Sequence, residues 1–192
     1  MKNSYPKLKF VYSLPYDRLL TKYENKVFSE NQFQEIKKYI KKLQPKWDKI
    51  SKSVYRTLKE IVKNEWQEKE IKCYVVKYCK YSGISAPLTL RMEPDFDYAL
   101  SVLVHELAHI IVGYNFAKYK KIMQKVKGRF PNETPMTRRH IYINFIELQV
   151  LKELFGQKTI DKIIKRNLAL RRIRKAWQVV LAEENNLKTY LK

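Results

Sequence analysis

The sequence predicts a predominantly helical α+β fold built as one domain. Three observations carry this. Glycine is scarce, 4 residues in 192, while charged residues make up 31%, a composition that favours helix. Apolar residues recur at helical spacing over long stretches. Only a few short segments alternate apolar and polar residues as half-buried strands do.

Residues 8–14 alternate Leu8, Phe10, Tyr12 and Leu14 with Lys9, Val11 and Ser13, which predicts a strand. Residues 15–28 show no period and are expected to be irregular. Ser29 with Gln32 forms a capping-box pattern. It opens a helix carrying Phe33, Ile36, Ile40 and Leu43, and Pro45 is expected to end it. A second amphipathic helix then aligns Trp47, Ile50, Val54, Leu58, Ile61 and Trp66. Ile71–Tyr78 reads as a strand. After the turn Tyr81-Ser82-Gly83, residues 84–92 read as another, placed at a sheet edge because Pro87 cannot donate to a ladder.

Asp95 is expected to cap a helix running to about Lys120. A loop over 128–135 follows. Thr137 then caps a helix that stops near Phe155-Gly156, and the tail from Thr159 to about Ala182 reads as one or two basic helices. The N-terminal helices (about 30–70), a central core (71–156) and a C-terminal helical region (157–192) make up the single domain.

The chain carries 40 Lys and Arg against 19 Asp and Glu, a net charge of +21. Such an excess attracts polyanions, nucleic acid among them; a solvated basic surface is the plainer alternative. In the tail, Lys165, Arg166, Arg171, Arg172, Arg174 and Lys175 interleave with Leu168, Leu170, Ile173 and Trp177. This is expected to be a helix packed by its apolar stripe, with polyanion binding or coverage of a cleft as alternatives. Cys73 and Cys79 form no CxxC pattern, which fits reduced core thiols and a cytoplasmic location. The first residues lead into no long apolar run, so no signal peptide is expected. The apolar stretch Ala99–Val112 is interrupted by His105, Glu106 and His109, so no membrane association is expected.

That stretch holds the residues that point to chemistry. His105 and His109 are four apart, which on a helix puts both imidazoles on one face, about 6 Å apart along the axis. Two imidazoles so placed suit one metal ion, and Glu106 beside them suits proton transfer from an attacking water to a leaving amine. The alternative is a buried histidine pair with Glu106 as its polar partner. Burying three polar side chains together without a metal is costly.

A strand followed by a helix bearing His105-Glu106-Leu107-Ala108-His109 resembles the zincin metallopeptidases over roughly residues 71–156. The resemblance implies one Zn2+ held by His105 and His109, Glu106 as general base, and a peptide or protein substrate lying along the edge strand. The branch depends on the third ligand. Metzincins place a Gly three residues and a His six residues after the second His; here these are Val112 and Asn115, so that pattern fails. SprT-like proteases use a third His downstream, for which this chain offers His140. Gluzincins take a Glu from the next helix, where Glu147 lies in an apolar frame.

The chain is most similar to a minimal gluzincin, and Glu147 is the favoured third ligand. His140 is the alternative ligand or an oxyanion stabiliser. Seven residues separate the two, about 10.5 Å of helix, too far to share one ion. A gluzincin acidic residue four beyond the ligand is replaced by Leu151. Asn144 is a candidate to support a ligand, and Glu153 is a weaker acidic one. Tyr114, Tyr119 and Tyr142 are available to stabilise a tetrahedral intermediate. The expected activity is zinc-dependent peptide-bond hydrolysis. The alternative is a nucleic-acid-associated or regulatory binding protein with a structural or vestigial zinc site.

Overall fold

A computed structural model describes residues 5–190; the extreme N-terminus, on which the signal-peptide reading rests, lies outside them. The fold is predominantly helical α+β, with seven helices and a mixed four-stranded sheet among the described residues. The chain forms two compact units. One comprises the residues up to Arg56 with Glu65–Leu107, the other Thr57–Asn64 with the residues from Ala108 on.

In the first unit, β1 (Lys7–Val11) pairs in parallel with β2 (Glu70–Val76), Leu8 opposite Ile71 and Phe10 opposite Cys73. The parallel pairing requires a crossover, supplied by α1 (Leu14–Tyr23) and α2 (Gln32–Val62). β2 also pairs in parallel with β4 (Leu88–Arg91), and β4 pairs antiparallel with β3 (Gly83–Ser85). The order is β1-β2-β4-β3, so β3 is an edge. The segment 84–92, expected as one edge strand, is therefore most of a hairpin that turns at the cis Ala86–Pro87 bond. Pro87 sits in that turn, and β4 is interior to the sheet.

Two other local expectations yield to tertiary contacts. Residues 15–28 contain α1, with Pro15 in its first turn, where the missing N–H costs nothing. Buried Asp17 on this helix accepts from the Gln32 side chain at 2.6 Å and from the Lys77 backbone N–H at 3.2 Å. Gln32 is thus drawn to Asp17 and Thr21, since a buried carboxylate must be hydrogen-bonded. Pro45 does not end a helix: α2 continues through it, with Leu43 and Trp47 fully buried on either side. Trp66 lies beyond α2 and donates to the Tyr55 carbonyl.

The helix after Asp95 is α3 (Phe96–Gly113); Asp95 Oδ1 accepts from the backbone N–H groups of Asp97 and Tyr98, the expected cap. By length and composition α3 is apolar enough to cross a membrane, with mean hydropathy 1.3, yet 67% of it is buried within the fold. It stops before Lys120, because Asn115 caps a separate helix, α4 (Phe116–Arg129), by accepting from Lys118 N–H at 3.0 Å.

In the second unit, α5 (Pro135–Leu154) is the central element, twelve of its twenty residues being buried. Its cap is Thr134 rather than Thr137, because Pro135 takes the first helical position and Thr134 accepts from Thr137 N–H. The tail forms α6 (Gln157–Ala169) and α7 (Arg171–Tyr190), the latter kinked at Glu183. Of the tail's apolar stripe, Trp177 on α7 is fully buried, Leu168 and Ile173 are half-buried, and Leu170 is exposed.

Candidate metal centre

α3 is one continuous helix, so the placement of His105 relative to His109 is set by helical geometry alone. Both rings are half-buried, while Leu103, Leu107, Ala108 and Ile111 on the same helix are fully buried. The rings of His109 and His140 meet edge to face with centroids 5.6 Å apart. The metal-ligating atoms of His105, His109 and His140 all lie within 4.8 Å of one another.

This donor set fits a metal ion. Nitrogens on one tetrahedral ion at about 2.1 Å each are about 3.4 Å apart, a separation that side-chain rotations would have to reach from within 4.8 Å. The tautomer of His140 is also suited. Its Nδ1 lies 3.0 Å from the Met136 carbonyl oxygen. A carbonyl only accepts, so Nδ1 carries the proton and Nε2 keeps its lone pair for a metal. The buried Asn144 amide lies between the His140 carbonyl and the Trp177 indole N–H; with its NH2 turned to the first and its oxygen to the second, it satisfies both. It braces the backbone of His140 rather than its ring.

Of the two candidates for the third ligand, His140 is the one gathered with the helix pair. Glu147, favoured by the sequence, is buried on α5 two turns further on and lies outside the group. The reason is axial distance: a helix that presents His140 to the pair carries Glu147 about 10.5 Å past it. Glu153 accepts from Thr57 instead. Tyr142 is buried, and that burial, with Tyr119 nearby, pushes its hydroxyl up to about 12.

Glu106 is buried at 8% exposure. It faces the edge strand. A methyl group placed on Gly83 would lie 2.7 Å from Val102 Cγ1, 2.8 Å from Glu106 Cγ and 2.9 Å from Glu106 Oε1. Only glycine admits this approach of strand to carboxylate, and the sequence reading treated Gly83 merely as a turn residue. Its signal was an isolated glycine beside strand residues, which marks close backbone approach as well as a turn. Under the same carboxylate, Cys73 on β2 is a fully buried thiol; burial pushes its pKa up, and the charge of Glu106 adds to the effect. A thiol so held is a protonated core residue, not a nucleophile.

Compared with protein-family models, curated proteins and solved structures, the chain matches none.

Proposed function

We propose that this protein is a zinc-dependent peptidase in which His105, His109 and His140 hold the ion and Glu106 is the general base. The observation that carries this reading is the gathering of three imidazoles around the face of α3 that follows a buried carboxylate. The chemistry of three neutral imidazoles suits a divalent cation of the zinc type. Such an ion, when bound, supplies Lewis acidity to a scissile carbonyl and makes water a nucleophile at neutral pH.

The chain's own residues do the rest. Glu106, close against Gly83 of the edge strand, takes the proton of the attacking water and returns it to the leaving amine. His140 has its ring oriented by the Met136 carbonyl at Nδ1, which leaves Nε2 as the ligating atom. A purely structural site has no use for a buried carboxylate beside its ligands, which favours catalysis over a vestigial centre. The donor set of three histidines departs from the gluzincin pattern and leaves Glu147 as a buried carboxylate of α5.

Metal quantification and casein cleavage test this together. The purified wild type should hold one equivalent of metal and cleave casein. His140→Ala should lose the metal, Glu147→Gln should keep it, and Glu106→Gln should keep it with cleavage reduced at least about 100-fold. Metal lost in Glu147→Gln but kept in His140→Ala would reverse the ligand assignment. A metal-loaded wild type inert on casein and a peptide panel would sink the peptidase reading.

A further inference from the structure

The two compact units divide the charge unequally. The unit formed by residues 57–64 and those from 108 on holds 21 of the 40 Lys and Arg but 7 of the 19 Asp and Glu. Several of those acids are engaged internally. Glu183 takes Arg129, Glu184 takes Lys152 and Lys188, and Glu133 faces Lys175.

The imbalance is sharpest on α4. Its fourteen residues include Lys118, Lys120, Lys121, Lys125, Lys127 and Arg129 and no acid. The two outer cations serve the fold: Lys118 donates to the Val62 and Lys63 carbonyls at the end of α2, and Arg129 binds Glu183. Lys120, Lys121 and Lys127 are exposed. Like charges at i,i+3 and i,i+4 positions, as in Lys118, Lys121 and Lys125, weaken a helix. α4 is held instead by its buried Ile122 and Val126 and by the Asn115 cap. The cationic face therefore works against the helix that carries it, and a ligand of opposite charge would relieve that.

Two features narrow the ligand. Phe116, at the start of the helix, is 74% exposed, an aromatic face beside a row of lysines spanning about 10.5 Å from Lys120 to Lys127. Cations in line with an exposed ring are the elements that bind phosphates and stack bases of a single strand. A bilayer surface is a poorer match, because the apolar face of α4 is already buried in its own unit. We propose that the exposed face of α4 binds single-stranded nucleic acid, with Lys120, Lys121 and Lys127 on the phosphates and Phe116 stacking on a base. This surface does not depend on the metal chemistry.

The test is fluorescence anisotropy of the full-length protein with a labelled single-stranded thymidine oligonucleotide across a salt series. Wild-type affinity should fall linearly in log–log form. The variant Lys120→Glu, Lys121→Glu, Lys127→Glu should lower the slope by about 2, since each phosphate contact on a single strand contributes about 0.7. The corresponding glutamine variant should lower it by the same amount, and circular dichroism should be unchanged in both. Phe116→Ala should weaken the single strand at least about threefold and leave a duplex unaffected. Absence of binding at low salt, or a triple variant with the wild-type slope, overturns the proposal. So does equal, competing binding to phosphatidylserine vesicles or polyglutamate, which would assign the face to another anion.

Discussion

The carboxylate of Glu106 lies so close to Gly83 that a methyl group there would sit 2.9 Å from its Oε1. The position of a general base matters because misplacement by about 1 Å can cost about a hundredfold in rate. Gly83→Ala should therefore keep its metal, since the added methyl group meets Val102 and Glu106 first, while casein turnover falls about a hundredfold. Metal content and kcat measured on one preparation check this. Unchanged turnover would mean that the strand, rather than Glu106, gives way. The shared helix of His105, Glu106 and His109 was readable from one turn of sequence. Gly83 was not, because its role depends on a strand and a helix meeting at van der Waals distance.

Among the elements, α2 shows where local rules lose to packing. Pro45 removes a hydrogen bond from the middle of the helix and crowds the turn before it, at a cost of about 3 kcal/mol. Ile36, Leu43, Trp47, Val54 and Leu58 are buried along the same helix, each worth about 1.5–3 kcal/mol, so the continuous helix wins. Pro45→Ala should stabilise the protein by about 2–2.5 kcal/mol, the restored hydrogen bond being partly offset by about 0.4–1 kcal/mol of extra freedom in the unfolded chain. Urea denaturation measures it, and a lowered midpoint would show that the packing needs the bend. The break between α3 and α4 is the opposite case: Asn115 is a local capping signal that the apolar run into Lys120 obscured.

For the molecule as a whole, charge sets the terms. Even if every acid were paired, 21 cations would remain. Net repulsion should outweigh the ion pairs, so salt should stabilise the fold. Between about 0.1 and 1 M the screening length shrinks from about 10 to 3 Å, and thermal unfolding in NaCl should move to higher temperature. A falling midpoint would show that the internal pairs dominate. The sequence alone was enough for the helical α+β class, for strands expected at 8–14 and 71–78, which the structure ends at Val11 and Val76, and for placing His105, Glu106 and His109 on one helix, because each depends on periodicity or spacing within a few residues. Only the tertiary structure decided the hairpin at 83–91, the unbroken α2, and that His140, not Glu147, lies beside His105 and His109. Those depend on which faces of distant elements are packed together, and the energy of such contacts resides in buried surface that no local pattern encodes.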